Sequence, residues 1–304
     1  MSLVRVPAGF QFSFSTPLDV PVTCGQTENL NVEICIVADA SGSFENDLIN
    51  LRRAASDIFD GVNNLFAESR FGVTSFVDYP GFGTEEDYPY RVYTQMTENL
   101  TAFELAIDDI ALGDGGDVPE AQYDGIVSAS QGDELDGQSD CGWSHDNDSF
   151  ERVLIAWTDS PFHNPGEGKP HKNDRDSTLN VLLRERIRLI GLKTATAGTE
   201  LDFLADATGG TVRDMELDGR DVTTEILGAL EDDFSCRVFV EAIGCEPLTL
   251  LPSTQVVVQP GSTTLVQATL STLGVASGTN IQCQLEIRFN RVLVETIDVN
   301  VMVE

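Results

Sequence analysis

The chain has 304 residues, of which 41% are hydrophobic and 22% are charged, enough to bury a sizeable core in two domains. Asp and Glu number 50 against 18 Lys and Arg, and the resulting net charge of −32 argues against nucleic acid or an anionic membrane surface as a partner, because both would be repelled. The surplus of carboxylates suits divalent cations, although most of these residues are expected to form a solvated acidic surface.

The N-terminal segment, residues 1–28, has the pattern of β-strands. Phe10, Phe12 and Phe14 alternate with polar residues, and prolines interrupt the segment. It begins without a basic stretch followed by an apolar one, and no window of the chain reaches about 18 consecutive apolar residues. We therefore expect no signal peptide and no membrane-spanning segment in this sequence.

A short apolar run from Ile34 to Ala38 predicts a buried central strand of a parallel sheet, because its β-branched residues suit a strand covered on both faces. Directly after it come Asp39, Ser41 and Ser43, whose oxygens can converge on one cation. Ligands gather at the carboxyl ends of such strands, and one carboxylate with two hydroxyls is the hard-oxygen chemistry that suits Mg²⁺ or Ca²⁺. The alternative is an ordinary turn that caps a helix.

The segments up to residue 235 alternate between strand-like and helical patterns, which predicts an α/β fold with a doubly wound, mostly parallel sheet. Further strands are predicted at Phe71–Val77, Tyr90–Gln95 as a polar edge strand, Val153–Trp157 and Ile187–Leu192. Helices are predicted at Asn46–Glu68, Leu100–Leu112, Glu120–Ser130, Leu201–Ala207 and Val222–Phe234.

Past residue 235 the pattern changes to short alternating runs separated by Pro and Gly, which is typical of a β-sandwich. We place a domain boundary near Cys236. The predicted strands are Val238–Val240, Gln255–Val258, Thr263–Ala268, Ile281–Phe289 and Val292–Val301.

The DASGS motif at Asp39–Ser43, with the acidic and amide residues that follow it, resembles the metal-ion-dependent adhesion site of von Willebrand A domains, most closely that of integrin β subunits. A lone DxSxS motif is a weak signal. Four later segments strengthen it, because each is similar to an integrin β segment and they occur in the same order. They are Phe76–Pro80, Asp117–Glu120, Cys141–Trp143 and Thr158–His163.

The resemblance implies a domain organisation. Residues 29–235 would form a von Willebrand A, or integrin β I-like, domain that is inserted in a smaller, hybrid-like β-sandwich built from residues 1–28 and 236–304. The alternative is a C-terminal sandwich with a disordered N-terminal arm. The alternating phenylalanines near the N-terminus favour the shared sandwich.

The resemblance also implies that Asp39, Ser41 and Ser43 join Glu120 and Asp159 around Mg²⁺ or Mn²⁺. Two bound carboxylates would neutralise the ion and leave it able to accept one more, supplied by an exposed Asp or Glu of a protein ligand. We therefore expect adhesion. Taken alone, Glu120 is better explained as an acid at a helix start, and Asp159 as a turn residue.

Two flanking metal sites of the family have incomplete counterparts here, and the resemblance implies Ca²⁺ at one of them. The first departs from the family pattern at Asn46, where the family has an acid, and the second at Gly115, where the family offers an Asn amide. We expect the second to be better preserved. The residues concerned are Asn46 and Asp47 with the Ser43 carbonyl, and Asp78, Asp117 and Pro119 with Glu120 as a bridge.

Enzymatic interpretations have less support, so we expect no catalytic activity. The histidines lie in polar loops, and neither HExxH nor a complete phosphate-binding loop occurs. A serine of the DxSxS motif with His163 could imitate a catalytic triad, but the neighbouring carboxylates favour metal ligation. A calcium-binding structural module and a metal-dependent hydrolase stay as alternatives. The histidines are His145, His163 and His171.

The cysteines are too few for a disulfide scaffold. We expect Cys35 to be a small core residue, whereas the role of Cys141 stays open. The other cysteines are compatible with one or two bridges outside the α/β segment. The resemblance implies an extracellular or cell-surface location without membrane insertion, and it leaves any α-subunit-like partner undetermined. The cysteines outside the α/β segment are Cys24, Cys236, Cys245 and Cys283.

Overall fold

A computed structural model describes residues 4–19, 27–82, 84–132, 138–144, 150–164, 166–167, 170, 172–215, 221–235, 237–246, 249–250, 256–257, 263–289 and 292–304. The chain divides into two compact units, a larger one of residues 27–233 and a smaller one of residues 1–26 and 234–304. Their assignment as integrin β I-like and hybrid-like domains stays a prediction. Cys24, Cys236, His145, His171 and part of the predicted strand Gln255–Val258 lie outside the described residues.

The described strands are β1 (Val4–Val6), β2 (Gln11–Asp19), β3 (Asn31–Asp39), β4 (Glu68–Phe76), β5 (Arg91–Thr97), β6 (Phe150–Thr158), β7 (Ile187–Lys193), β8 (Val212–Asp214), β9 (Arg237–Ile243), β10 (Thr249–Leu250), β11 (Val256–Val257), β12 (Thr263–Ser271), β13 (Asn280–Phe289) and β14 (Val292–Val303). The helices are α1 (Glu45–Leu65), α2 (Leu100–Asp108), α3 (Gln122–Gln131), α4 (Arg175–Arg184), α5 (Glu200–Thr208) and α6 (Val222–Phe234). None of these helices combines the length and apolar character that crossing a bilayer requires.

The larger unit contains a six-stranded sheet in the order β5-β4-β3-β6-β7-β8. Neighbouring strands pair in parallel except for β5, which is the antiparallel edge strand beside β4. Strand β3 lies inside the sheet and is buried from Val32 to Asp39, as expected for an apolar run covered on both faces. The predicted mixed α/β fold with a mostly parallel sheet is confirmed.

Helices cover both faces of this sheet. On one face, Cys35 and Val37 of β3 share a core with Ile126 of α3, Leu182 of α4 and Leu204 of α5. On the other face, the Phe59 ring of α1 stacks on Phe71 of β4 at 4.6 Å between centroids, and the Phe103 ring of α2 lies 5.0 Å from Phe71. Because successive strand residues point to opposite faces, the continuous apolar strands serve both cores.

Helix α4 and strand β8 were not predicted from the sequence. Helix α4 buries only Thr178, Val181 and Leu182, so its apolar periodicity is weak. Its start is instead set by a capping box. The Asp174 carboxylate accepts a hydrogen bond from the Ser177 N–H at 2.8 Å, and the Ser177 hydroxyl oxygen accepts one from the Asp174 N–H at 2.8 Å.

The smaller unit has two sheets, in the orders β1-β14-β13-β9-β11 and β10-β12-β2. Strand β1 pairs in parallel with β14, and β2 pairs antiparallel with β12 along its whole length. Both sheets contribute to one core, with Val6 and Leu285 from the first and Leu270 from the second. Residues 4–19 are thus paired strands, which favours the shared sandwich over a disordered N-terminal arm.

Each unit contains one described disulfide. Cys245 bonds Cys283 in the smaller unit, in agreement with the expected bridging there. Cys35 bonds Cys141 in the larger unit, so the expectation that Cys35 is only a small core residue is wrong. Its partner is 106 residues away, and the apolar pattern of β3 gives no sign of it. Gly72 of the adjacent strand leaves room for this bridge, since a Cβ at that position would overlap the Cys141 sulfur.

Candidate metal centre

Polar side chains stand at the carboxyl ends of three neighbouring strands of the larger unit. Asp39 is the last residue of β3, Asp78 follows β4 by two residues, and Thr158 and Asp159 end β6 and begin the next loop. Because β4, β3 and β6 run parallel as neighbours, these ends lie at one edge of the sheet.

Backbone hydrogen bonds hold the loops at this edge together. The Gly113 N–H donates to the Ala40 carbonyl at 2.7 Å, which ties the loop after α2 to the loop after β3. The Glu120 N–H donates to the Pro161 carbonyl at 3.0 Å, and the His163 N–H donates to the Glu120 carbonyl at 3.1 Å. The segment before α3 therefore pairs with the loop after β6, and Glu120 enters the site on a fixed backbone.

The Asp39 carboxylate is fully buried and accepts two hydrogen bonds. Oδ1 accepts the Ser41 N–H at 2.8 Å, and Oδ2 accepts the Thr158 hydroxyl at 2.7 Å. Burial raises the pKa of Asp39 to about 6, because the loss of solvation outweighs these hydrogen bonds, and the nearby Asp159 charge adds to the rise.

The hydroxyls of the DxSxS loop connect Asp39 to Asp159. The Ser41 and Ser43 hydroxyl oxygens lie 3.2 Å apart, and the Ser43 hydroxyl donates to Asp159 Oδ1 at 3.0 Å. The Ser160 hydroxyl donates to the same oxygen at 3.1 Å. Four of the predicted ligand residues are thus gathered in one place, while their role as metal ligands stays a prediction.

The fifth predicted ligand, Glu120, is a buried carboxylate in an acidic environment. The residue is 3% exposed, and its Oε2 has no hydrogen-bond partner in the described part of the chain. Burial is the main cause that raises the pKa of Glu120 to about 10, and the charges of Asp39, Asp78, Asp117 and Asp87 raise it further. A buried carboxylate oxygen without a donor, facing other acids, fits a divalent cation as the missing counter-charge.

Gly115 explains one departure from the family pattern. Its backbone has φ +78°, a conformation that side chains rarely adopt, and a Cβ would overlap Oε1 of Glu120. The Glu120 carboxylate thus lies directly against the Gly115 backbone. The Asn amide that the resemblance implies for the second flanking site is absent from this position.

The structure places a histidine beside Asp78 and Asp117, two of the residues predicted for the second flanking site. His163 Nε2 lies 3.1 Å from Asp78 Oδ1 and 4.0 Å from Asp117 Oδ1, and its Nδ1 lies 2.8 Å from Glu167 Oε2. It lies in a polar loop as predicted, but its side chain is only 2% exposed. Asp78, Asp117 and His163, called here the Asp–His cluster, each offer one atom within 4.8 Å of the others.

The other residues predicted for the flanking sites lie at the start of α1 and directly before Glu120. Asn46 is exposed and Asp47 is buried, both in the first turn of α1, and Pro119 is half-buried directly before Glu120. The pair Asn46–Asp47 stays a predicted site.

Sequence reasoning did not assign a role to two further residues of the site. The Thr158 hydroxyl donates to Asp39, and its place in the segment Thr158–His163 was a usable signal. Asp87 is buried and accepts hydrogen bonds from the Thr84 and Asp114 N–H groups at 2.7 and 3.1 Å. Asp87 shapes the loops around Glu120, and no motif in its own segment indicates this.

A scan against models of protein families finds no match to the chain. Among curated proteins, integrin beta-2 of Bos taurus is 23% identical over 167 residues, which is 49% of this chain and 20% of that protein. Integrin beta-PS of Drosophila melanogaster is 22% identical over 166 residues, covering 50% of this chain and 19% of that protein. The matched region is thus about a fifth of the length of these relatives.

Among solved structures, proximal thread matrix protein 1 from the mussel byssus matches with a TM-score of 0.47 and 16% identity, covering 72% of this chain and 48% of that one. The sequence matches show that about half of this chain is similar to integrin β chains.

Proposed function

We propose that this chain is a metal-dependent adhesion module. In this proposal Asp39, Ser41, Ser43, Glu120 and Asp159 hold Mg²⁺ or Mn²⁺, and a protein partner contributes an exposed Asp or Glu carboxylate. The observation that carries the proposal is the buried Glu120 carboxylate, whose Oε2 has no donor among the described residues and whose neighbours are other acids.

The charge balance of the site supports a cation. Burying carboxylates without a counter-charge costs several kcal/mol, so such groups are normally paired or bound to metal. The largest contributions to the pKa shifts of Asp39 and Glu120 come from burial, hydrogen bonds and other carboxylates. The oxygen-only donor set suits a hard divalent ion.

The predicted ligand residues differ in their exposure to solvent, which supports binding of a partner's carboxylate from solution. Asp39 and Glu120 are buried at the inner side of the site, whereas Asp159 is half-buried and Ser43 is exposed. The residues of this chain hold their oxygens on the inner side and leave the outer side open to solvent. A bound divalent cation would supply one coordination position to the partner's carboxylate.

The proposed role is binding without catalysis. The Ser43 hydroxyl donates to Asp159, and the imidazole of His163 contacts Asp78 and Glu167. A serine nucleophile needs a base within hydrogen-bond reach, and the contacts described for Ser43 and His163 do not form such a pair. This arrangement favours adhesion over the hydrolase alternative.

We place the proposed function outside the cell or at its surface. Disulfides persist in oxidising compartments, and both units contain one, Cys35–Cys141 and Cys245–Cys283. The similarity of half the chain to integrin β chains supports the same location.

The test is binding of acidic peptides to the immobilised full chain, measured by surface plasmon resonance. The probe is a peptide library in which each member carries one exposed Asp or Glu, paired with its Asn or Gln counterpart. We expect binding of the acidic members in Mn²⁺ or Mg²⁺, and loss of binding in chelator and in the variant Glu120→Gln. Asp176→Asn is the matched control, since it removes an exposed charge from the first turn of α4.

Each outcome separates the alternatives. Acidic peptides that bind undiminished in excess chelator would contradict capture through a cation. A metal that raises the melting temperature without any acidic peptide binding would favour the calcium-binding structural module. Turnover of model esters that disappears in Glu120→Gln would favour the hydrolase.

A further inference from the structure

We infer that the Asp–His cluster is a second metal site, with mixed nitrogen and oxygen ligands, that takes Zn²⁺ or a similar transition ion rather than Ca²⁺. The family resemblance implies an oxygen-only flanking site for Ca²⁺ at this place, and it gives no role to His163. The inference concerns a second ion, and it does not require that an ion held by Asp39 binds a protein partner.

The geometry of the cluster suits a small ion. Zinc bonds to His nitrogen and Asp oxygen are about 2.1 Å long, so tetrahedral ligand atoms lie about 3.4 Å apart. His163 Nε2 lies 3.1 Å from Asp78 Oδ1 and 4.0 Å from Asp117 Oδ1, and all three ligand atoms lie within 4.8 Å of one another. Small side-chain adjustments would bring these atoms to zinc distances.

The second nitrogen of His163 is held as in many metal sites. Nδ1 lies 2.8 Å from Glu167 Oε2, at hydrogen-bond distance. A carboxylate that accepts the Nδ1–H of a histidine fixes the tautomer and turns Nε2 into the ligand atom. Nε2 is the nitrogen that faces Asp78 and Asp117. Glu167 is therefore a positioning residue for this site.

The Asp–His cluster is buried on one side and open to solvent on the other. The Asp78 and His163 side chains are 0% and 2% exposed, whereas that of Asp117 is 53% exposed. An ion would be enclosed by the protein on one side and would enter past Asp117. The open side leaves room for water or for a further ligand, as in zinc sites with three protein ligands.

An independent observation points to a cation beside the cluster. Glu120 is 3% exposed, its Oε2 has no donor among the described residues, and its charge interacts with those of both Asp78 and Asp117. Two buried carboxylates, with a third that is half-exposed beside them, need a positive charge nearby.

The imidazole decides the class of metal. Nitrogen ligands suit Zn²⁺ and its transition-metal neighbours, whereas Ca²⁺ takes oxygen ligands only. The oxygen ligand that the family pattern places at position 115 is absent, because Gly115 has no side chain and a Cβ there would overlap Glu120. His163 supplies a nitrogen in the same region from the loop after β6.

The test is calorimetric titration of the metal-stripped full chain with ZnCl₂ and, separately, with CaCl₂. We expect His163→Gln to lower the Zn²⁺ affinity by about tenfold or more, since changes outside the ligand shell already cost 10–100-fold. His145→Gln and His171→Gln are matched controls that should bind Zn²⁺ as the wild type does. Asp39→Asn should keep the Zn²⁺ site, so failure of the central site is distinguishable from failure of this one.

A measurement on the unchanged protein covers the case in which His163→Gln does not fold. Zn²⁺ should shift the imidazole nitrogen resonances of His163 to those of a histidine ligated through Nε2. Equal Zn²⁺ affinities in wild type and folded His163→Gln would overturn the inference. Imidazole resonances of His163 that do not move with Zn²⁺ would overturn it too, and would leave His163 as a structural residue between Asp78 and Glu167.

Discussion

At the scale of single residues, Asp39 is the innermost ligand of the proposed metal site, because its carboxylate is fully buried and positioned by Ser41 and Thr158. We expect Mg²⁺ or Mn²⁺ to raise the melting temperature of the wild type, since an ion that binds only the folded state stabilises it by about 2.7 kcal/mol at about 100 times its Kd. Asp39→Asn should lose most of this increment. The measurement is differential scanning calorimetry with and without chelator. An equal metal response in wild type and Asp39→Asn would contradict the central site.

The pH dependence of the metal-free protein follows from Asp39 and Glu120. Their pKa values rise in the folded state to about 6 and about 10, from ordinary values of 3.8 and 4.5. The folded state therefore holds these protons more tightly than the unfolded one. Their contribution to stability is full below the ordinary pKa values and is lost as pH rises through the folded values.

We therefore expect the free energy of unfolding in chelator to fall between about pH 4 and pH 10 through these two groups, as urea titrations would measure. The double variant Asp39→Asn/Glu120→Gln should show a shallower fall. If it shows the same slope as the wild type, the two carboxyl groups are not the source of the pH dependence.

Residues close together in the chain were the predictable part of the site. Asp39, Ser41 and Ser43 follow an apolar strand, and their spacing alone predicts an oxygen-rich loop. Glu120 and Asp159 needed the family resemblance, because only the folded sheet brings their loops beside Asp39. The burial of His163 was not predicted, since it comes from packing between loops, and loops carry no periodic pattern that would reveal it.

At the scale of elements, helix α4 provides a test of local chemistry. We expect Asp174→Ala to destabilise the protein by about 1 kcal/mol, because the capping box loses the acceptor for the Ser177 N–H. Asp176→Ala, in the first turn of the same helix, is the matched control and should have a smaller effect. Urea unfolding of both variants measures the difference. A larger loss in Asp176→Ala would show that the cap does not set the start of α4.

The elements of the larger unit were predictable where apolar patterns are strong. The predicted strand Val153–Trp157 lies within β6, and the predicted helix Val222–Phe234 has the same limits as α6. Helix α4 was missed because capping, rather than an apolar stripe, marks its start. Strand β8 is three residues long, too short for an alternation to be visible.

At the scale of the whole molecule, long-range pairing was the part that the sequence could not supply. Strand β1 pairs with β14 and β2 with β12, across almost the full length of the chain. Cys35 and Cys141 are likewise joined over 106 residues. Alternation predicts that a strand exists, but its partner depends on which faces are buried together.

The Cys35–Cys141 disulfide also limits how far the chain can be extended by a mechanical force. A stretched chain extends by about 3.3–3.6 Å per residue, so the sequence separation of 106 between these cysteines represents about 350–380 Å of extension. In single-molecule stretching we expect this length to be released only after a reducing agent is added. Its release without reductant would contradict the bond. Under force, the DxSxS loop, Asp78 and Glu120 would thus stay within the segment closed by this disulfide while the rest of the chain is extended.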